Sequence, residues 1–402
     1  MTTGTSAESA GVGSAGSTEG IGSVAIGVEL GGKRTAIALI DQEGVILHRC
    51  DAKTLWGRPA SATVEPSMRG IETLLAHASA EGYCVSGIGV SIPGAVDETS
   101  SRPLFVPTLP SLNGFPLAEM LQTRFGLPAQ LYIDVDAASW GEYRFGVGKQ
   151  VNRLLFLSLN AVVGAALIID GRPERSNSPS LGHTSHMPIT TNGPRCGCGK
   201  RGCINTLISI DAIQKMMQRA QRRDEESSLL QRLSRHELFS PQLLAVEAER
   251  GDSVALQVYH EMSRWFVAAL VRYIDLFAPE MLLLGGSVLN ASPLLFNEVR
   301  GTLLAQYSLE ERDTLQIVPA QLGEDAALIG AALFMHSQAL HSIELPAQSS
   351  KQQAHKKRRK PQSRIALHYP DDMAGGGSGL STTMLADAIH PPLSRGNAVQ
   401  DV

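Results

Sequence analysis

The sequence predicts an α/β protein with mixed sheets, and three observations support that fold class. Two strand-forming runs joined by a glycine pair come first, which indicates an antiparallel hairpin. Helical and strand patterns then alternate along the chain, as is typical of α/β domains. Finally, 43% of the 402 residues are hydrophobic and 18% are charged, so the chain can bury a sizeable core.

The first half of the folded body is predicted as strands with two helices. Residues 24–30 and 35–41 are rich in apolar and β-branched residues and flank Gly31-Gly32, so they form the hairpin, and residues 44–50 follow a glycine turn as a third strand. Apolar residues recur at helical spacing over 67–82. The same rules predict a strand at 87–94, a helix at 117–126 that ends at Gly126, and a strand at 131–134.

The second half is predicted from three apolar segments. The charge-free stretch 154–169 is shorter than the roughly 20 residues that cross a bilayer, and two buried strands joined by a turn explain it. Residues 253–280 form a long amphipathic helix that leads into a strand at 281–286. Residues 324–340 form the final helix.

Composition changes at both ends of the chain. Residues 1–23 are mostly Gly, Ser, Thr and Ala, and residues 347–402 are poor in apolar residues, so both are predicted to be disordered tails around a body at 24–346. The N-terminus lacks the basic and apolar regions of a signal peptide, so a cytoplasmic, non-membrane protein is expected. The net charge of −4 gives the whole molecule no general attraction to nucleic acid or anionic membranes.

A cysteine cluster is the sharpest motif. Cys196, Cys198 and Cys203 lie within a glycine-rich octapeptide, and His186 lies ten residues upstream. Three thiolates and one imidazole make a complete tetrahedral set, which predicts a structural zinc with no open position for water; the alternative is free thiols in a surface turn. Two further cysteines are predicted to be core thiols: Cys50 and Cys84.

Seven segments then occur in a characteristic order: 27–41 (GVELGGKRTAIALID), 89–97 (GVSIPGAVD), 105–117 (FVPTLPSLNGFPL), 131–146 (LYIDVDAASWGEYRFG), 182–203 (the histidine and cysteine segment), 279–288 (PEMLLLGGSV) and 325–333 (DAALIGAAL). Together they resemble the repressor, open-reading-frame and kinase (ROK) family of sugar kinases and sugar-responsive repressors. The resemblance spans about residues 25–340.

The resemblance implies an architecture. Members of the family have two actin-like (ribonuclease-H-like) α/β lobes around a cleft and a small zinc loop. Transferred to this chain, residues 24–134 plus 322–346 form the small lobe, and residues 135–321 form the large lobe with the zinc loop at 183–205. A homodimer and a sugar or sugar-derivative ligand are implied as well.

The resemblance also assigns site residues. Asp136 occupies the position of the catalytic base, which removes a proton from the sugar hydroxyl. ATP and magnesium, if the chain is a kinase, are implied at Glu29, Gly31, Gly32, Lys33, Gly164, Gly285 and Gly286. The residues implied to contact sugar are Asn113, Gly114, Asp136, His183, His186 and Asn205. The residues implied to hold zinc are His186, Cys196, Cys198 and Cys203.

Several positions depart from the family motifs. Lys33 replaces a threonine of the first phosphate loop, and residues 160–162 (Asn-Ala-Val) replace the Gly-Thr-Gly of the second. Val135 replaces an asparagine, and His183 and Asn205 each replace a glutamate of the sugar site. Each lost charge-assisted hydrogen bond is worth roughly 1.5–3 kcal/mol, so losing two predicts a weakening of hexose binding by about 3–6 kcal/mol.

Three functions remain open at this stage. The leading hypothesis is a ligand-sensing or partner-binding regulator of sugar metabolism with little or no kinase activity. The alternative is an ATP-dependent hexose or N-acetylhexosamine kinase that uses Asp136 as its base. The third is a DNA-binding repressor. Only about 23 residues precede the first hairpin, so no helix-turn-helix domain is expected there, and the basic cluster at 355–360 either contacts DNA phosphates nonspecifically or simply lies in solvent.

Overall fold

The computed structural model describes residues 22–97, 101–149, 151–174, 184–223 and 226–344. Several predicted features lie outside these residues: the tail 1–23 except for its last two residues, the tail 347–402, the basic cluster 355–360, and His183.

Two five-stranded sheets and a short hairpin form the β-structure of the described chain. Its strands are β1 (Ser23–Leu30), β2 (Arg34–Asp41), β3 (Ile46–Lys53), β4 (Cys84–Ile92), β5 (Ala95–Asp97), β6 (Arg102–Phe105), β7 (Ala129–Ile133), β8 (Arg153–Leu159), β9 (Val163–Ile169), β10 (Arg172–Glu174), β11 (Met281–Gly285) and β12 (Gln316–Pro319). The short hairpin pairs β5 with β6. The predicted strands are therefore present, with shifted ends, and β12 is a strand that sequence patterning does not predict.

Helices cover these sheets and connect their strands. They are α1 (Ala60–Ala80), α2 (Leu117–Phe125), α3 (Asp134–Arg144), α4 (Asn205–Ile208), α5 (Ile210–Gln221), α6 (Ser228–Ser234), α7 (Pro241–Glu249), α8 (Ser253–Phe277), α9 (Ser287–Asn290), α10 (Pro293–Leu304), α11 (Leu309–Thr314) and α12 (Ala326–Glu344). Short 3-10 turns lie at Pro110–Leu112, Thr184–His186 and Gly323–Asp325. No helix in the described residues has both the length and the apolar character that a membrane span requires.

The two large sheets have the same topology. The first runs in the order β3-β2-β1-β4-β7 and the second in the order β10-β9-β8-β11-β12. In each sheet a three-stranded antiparallel meander supplies the first strands, and two parallel strands follow it. The predicted lobe boundaries place one sheet in each lobe, and these boundaries remain a prediction.

Helices α3 and α12 pack between the two sheets. Alanines line the first sheet where it meets α12: Ala25, Ala36 and Ala38. A Cβ on Gly89 would lie 2.0 Å from the carbonyl oxygen of Ala331, and one on Gly330 would lie 1.7 Å from that of Ala137. Small residues are therefore required because the backbones of α3, α12 and β4 touch directly. The opposite face of the first sheet carries larger residues that pack against α1 and α2.

The structure corrects the sequence at four places. Strand β7 ends at Ile133, and α3 begins at Asp134, so Asp134 belongs to the helix rather than to the predicted strand 131–134, and Asp136 lies inside the first helical turn. Helix α1 begins seven residues before the predicted 67 and contains Pro66 as its seventh residue, where proline removes one hydrogen bond of the helix backbone. The helices α4 to α7, α10 and α11 are not predicted individually. Cys84 is exposed at the start of β4, so it is not a core thiol.

Candidate active site

The turn between β1 and β2 is built from Gly31, Gly32 and the exposed Lys33. The Gly31 N–H donates to the Arg34 carbonyl at 3.0 Å, and a Cβ on Gly31 would lie 2.7 Å from that oxygen, which excludes a side chain there. Thr54 braces the turn because its buried hydroxyl donates to the Gly31 carbonyl at 2.7 Å. The turn therefore has a backbone that is fixed by hydrogen bonds and carries no side chain at Gly31 or Gly32, while the Lys33 side chain is exposed to solvent.

A second segment of the predicted site meets this turn through Thr108. A Cβ on Gly32 would lie 3.1 Å from the Cβ of Thr108, so the loop between β6 and α2 packs on the turn. In that loop the Asn113 side-chain oxygen accepts from the Val106 N–H at 2.8 Å, and Gly114 adopts a left-handed φ of 71°. Asn113 and Gly114 are exposed, so this segment is accessible to a ligand. The Asn113 side-chain oxygen is already used by the Val106 N–H, whereas its amide nitrogen makes no such bond within the described residues of the loop.

Glu29 is the penultimate residue of β1, two residues before Gly31. Its Oε2 is inaccessible to solvent and has no hydrogen-bond partner among the described residues. Burial, and next the negative charge of Asp134, raise the pKa of Glu29 to about 7, while Arg34 lowers it and Asp325 and Glu324 raise it further. A buried carboxyl oxygen without a partner, in a field of other carboxylates, is a site poised to take up a proton or a cation.

Asp134 is the carboxylate that structure adds to the predicted site. It is the first residue of α3, and its Oδ1 accepts from the Val135 N–H at 2.8 Å. Burial raises the pKa of Asp134 to about 6, although that hydrogen bond opposes the shift. Of the neighbouring charges that act on Glu29, that of Asp134 is the strongest. Sequence patterning misses Asp134 because it reads as the last residue of a strand.

The charges around this pair connect the first sheet to the start of α12. Arg34 pairs with Glu324 at 3.3 Å, and Arg49 pairs with Asp325 at 2.6 Å. On α3, the fully buried Glu142 accepts from the Leu322 N–H at 2.6 Å. The segment before α12 is therefore held both by the first sheet and by the helix that begins with Asp134.

The loop between β8 and β9 is bridged by a side chain. The Asn160 amide nitrogen donates to Ser158 Oγ at 2.7 Å, and its amide oxygen accepts from the Ser287 N–H at 2.7 Å. Ser287 follows Gly285 and Gly286, which are implied to bind ATP. Asn160 therefore connects the second predicted phosphate loop to the turn formed by these two glycines. Gly286 has a φ of 94°, and a Cβ there would lie 2.5 Å from the Leu159 nitrogen, so this close approach of the two loops requires glycine.

Two contacts complete this side of the site. A Cβ on Gly164 would lie 3.0 Å from the Cβ of Val135, so β9 packs on the first turn of α3, beside Asp134. The Asn205 side-chain oxygen accepts from the Val163 N–H at 3.0 Å. Asn205, one of the predicted sugar-contacting residues, is therefore tied to the second loop. His183 lies outside the described residues, so its predicted role has no structural counterpart here.

The predicted zinc ligands come together. The coordinating atoms of His186, Cys196, Cys198 and Cys203 lie within 4.8 Å of one another. Cys198 Sγ and Cys203 Sγ are 3.7 Å apart, and Cys196 Sγ lies 3.3 Å from His186 Nδ1. A tetrahedral ion with Zn–S bonds of about 2.3 Å separates two sulfurs by about 3.8 Å. This ligand set can hold a metal ion, and its spacing suits zinc.

Backbone pairing explains why the four ligands converge. Cys203 is buried and pairs with Pro188 as an isolated β-bridge, while a second bridge joins Arg195 to Arg201. The Cys196 N–H donates to the Lys200 carbonyl at 2.8 Å, which closes the turn that carries Cys198. The loop thus folds back on itself twice, and this brings Cys196 and Cys203 close to His186.

Comparison with known proteins places the whole body of the chain. Residues 25–338 match the ROK family. The chain is 28% identical over 307 residues to a glucokinase of Thermotoga maritima, covering 76% of this chain and 95% of the relative. It is 23% identical over 309 residues to a xylose repressor of Bacillus spizizenii, covering 76% of this chain and 75% of the relative.

Solved structures agree with this placement. A ROK family glucokinase of Streptomyces griseus, in complex with glucose and AMPPNP, superposes with a TM-score of 0.67 at 29% identity, covering 78% of this chain and 99% of that one. A ROK family transcriptional regulator superposes with a TM-score of 0.70 at 26% identity, covering 80% of this chain and 79% of that one. The fold is thus the α/β fold of ROK sugar kinases, with two actin-like lobes around a cleft, and the chain belongs to the ROK family.

Proposed function

We propose that this chain is a sugar-responsive ROK regulator that binds a sugar or sugar derivative beside Glu29 and Asp134 and transfers phosphate weakly or not at all. The observation that carries the proposal is the Asn160 bridge between Ser158 and Ser287. Relatives of both kinds, glucokinases and xylose repressors, are compatible with it.

The bridge acts against nucleotide binding in two ways. Phosphate groups are held by free backbone N–H groups on loops without side chains, since a bare backbone can approach the phosphates closely. Here the Ser287 N–H is already satisfied by the Asn160 amide oxygen. The amide also occupies space between the two loops that glycine would leave open. Val162, two residues later in the loop, adds a branched side chain. ATP would therefore have to break the partly buried contact between Asn160 and Ser287 before it could enter.

The sugar side of the site offers fewer free acceptors for sugar hydroxyls than the family motif does. Asn205 replaces a carboxylate, and its side-chain oxygen accepts a hydrogen bond from the Val163 N–H at 3.0 Å. Besides Asp136, the carboxylates here are Glu29 and Asp134, whose pKa values are raised to about 7 and about 6, so Glu29 is partly protonated at neutral pH while Asp134 is mostly ionised. Such a pair favours a ligand that supplies a hydroxyl, an amide N–H or a cationic group.

The second candidate is an ATP-dependent sugar kinase, and one observation favours it. Asp134 has a pKa of about 6, close to the working pH of a general base, and it lies at the start of a helix, near enough to Glu29 for its charge to raise the pKa of that residue. In that case ATP, held with magnesium, would supply the phosphoryl group, and Asp134 would take the proton from the attacking hydroxyl. The sequence resemblance assigns this role to Asp136, two residues later, and the variants in the experiment below separate the two.

Zinc at the cysteine cluster is part of the same proposal. His186, Cys196, Cys198 and Cys203 would fill all four positions of a tetrahedral ion, which leaves none for substrate. The ion would therefore serve the fold by fixing the loop ahead of α4, whose first residue is Asn205. A homodimer remains a prediction from the family resemblance.

A coupled ADP-release assay over hexoses, N-acetylhexosamines and N-acetylmannosamine tests the proposal, together with thermal shifts for the same sugars. We expect at least one sugar to raise the melting temperature of the parent protein. With that sugar, the rate of ADP release by the parent protein should be no higher than the rate measured for Asp134→Asn. Robust turnover that is lost in Asp134→Asn and kept in Asp136→Asn would overturn the regulator proposal in favour of the kinase with Asp134 as base. Turnover that is lost only in Asp136→Asn would favour the kinase with the base that the sequence predicts.

A further inference from the structure

A second group of metal-type ligands lies apart from the cysteine loop, between β3 and the end of α1. His48 Nε2 lies 2.7 Å from Glu81 Oε1, and the His48 and His77 rings stack with centroids 4.4 Å apart and planes inclined by 15°. The ligand atoms of these three residues all lie within 4.8 Å of one another. Two imidazoles and a carboxylate thus converge from a strand and a helix.

The local structure explains the convergence. His77 lies in the last turn of α1, and Glu81 follows the helix as its C-cap residue, four positions later and on the same face. His48 belongs to β3, the edge strand of the first sheet, against which α1 packs. Because β3 is at the edge, the side chains at this point are open to solvent on one side, and an ion can reach them.

Ordinary packing does not account for the group. His77 and Glu81 are exposed, and His48 is half-buried, so none of the three is needed to fill the core. We propose that His48, His77 and Glu81 bind one divalent transition-metal ion, Zn²⁺ or the more tightly held Cu²⁺, which joins the end of α1 to β3. The ligand types suit these ions because imidazole and carboxylate are their common protein ligands.

Two features of the site favour a cation. The C-terminal end of a helix carries partial negative charge on its free carbonyl groups, and the site lies at that end of α1. A tetrahedral ion with bonds of about 2.0–2.1 Å separates two ligand atoms by about 3.4 Å, so the His48–Glu81 contact of 2.7 Å would lengthen and the other separations, all within 4.8 Å, would adjust. The exposure of His77 and Glu81 leaves the required side-chain rotations free. Three protein ligands leave at least one position for water, so this site differs from the four-ligand cysteine cluster.

Equilibrium dialysis of the full chain against Zn²⁺ tests the proposal. We expect His48→Ala and His77→Ala to bind one zinc fewer per chain than the parent protein. Glu81→Gln should weaken binding of that ion by about tenfold or more, in line with the loss of a ligand contact. Cys198→Ser should keep this ion, because the two sites share no residue.

The chain supplies a matched control. His260 and Glu298 form another surface pair, 3.3 Å apart, to which the described residues add no third ligand. His260→Ala should therefore leave the zinc content unchanged. In the parent protein loaded with Cu²⁺, electron paramagnetic resonance should show coupling to two imidazole nitrogens, and this signal should disappear in His48→Ala. Equal zinc content in the parent protein, His48→Ala and His77→Ala would overturn the proposal.

Discussion

Asp134→Asn should stabilise the protein relative to the parent, increasingly as the pH rises above about 4 and fully above about pH 6. Burial raises the pKa of this carboxyl from 3.8 to about 6 in the folded protein. A raised pKa means that the folded state resists ionisation, so the folded protein binds more protons than the unfolded chain between these two values. The free energy of unfolding of the parent protein therefore falls as the pH rises from about 4 to about 6.

The magnitude follows from the shift itself. A change of about 2 pKa units corresponds to about 3 kcal/mol, at about 1.4 kcal/mol per unit. Asparagine cannot ionise, but its side-chain oxygen can still accept from the Val135 N–H, so the substitution removes the charge and keeps the contact. The difference in the free energy of unfolding between Asp134→Asn and the parent protein should therefore be up to about 3 kcal/mol more favourable to the variant at pH 8 than at pH 3.5.

Urea unfolding at a series of pH values measures this gain. Asp136→Asn is the matched control, because it removes the same charge two residues later in the same helical turn. The reasoning would be refuted if the difference between Asp134→Asn and the parent protein were independent of pH. It would also be refuted if Asp136→Asn gave the larger gain, since Asp136 would then be the buried carboxylate with the raised pKa.

Two helical glycines should respond oppositely to alanine. Gly330→Ala should lower the free energy of unfolding by several kcal/mol, because its Cβ would lie 1.7 Å from the Ala137 carbonyl oxygen. Gly301→Ala should raise the free energy of unfolding by about 0.5–1 kcal/mol, because the added Cβ meets nothing within 4 Å. Denaturant titration measures both changes, and equal effects would contradict the packing described for α3 and α12. Cys198→Ser should release metal from the cysteine cluster and lower the melting temperature, as should a strong chelator, with elemental analysis as the measurement. Retention of a full complement of zinc by Cys198→Ser, at an unchanged melting temperature, would show that Cys198 is not a ligand.

The sequence predicts the fold well where local patterns are strong. The hairpin around Gly31-Gly32, the long helix α8 and the final helix are present, because their apolar periodicity and turn residues agree with their tertiary environment. Chain order does not reveal the repeated topology of the two sheets, because that repeat lies in strand pairing rather than in residue identity. Among the helices between Asn205 and Glu249, α4, α6 and α7 are too short to show a clear period. The 12-residue α5 does carry buried residues at helical spacing, a signal from which it could have been predicted.

The site shows a similar division. The four metal ligands are predicted together because their spacing reflects the chemistry of one ion, and the structure brings them within 4.8 Å. Asp134 is missed because its role depends on burial and on the nearby Glu29, which sequence spacing cannot show. The bridge from Asn160 to Ser287 is invisible in the sequence for the same reason, since it joins residues 127 positions apart.

Equilibrium binding of ATP–magnesium to the parent protein and to a variant with residues 160–162 restored to Gly-Thr-Gly tests the central claim most directly. The Asn160 amide now satisfies Ser287, and a hydrogen bond of this kind is worth about 0.5–1.5 kcal/mol, so its removal alone allows up to about a tenfold gain in affinity. We predict weak or undetectable nucleotide binding by the parent protein and a gain of at least tenfold in the restored variant, in which the added glycines also clear the loop. Micromolar binding by the parent protein, unchanged by the restoration, would contradict the claim that Asn160 closes this site to nucleotide.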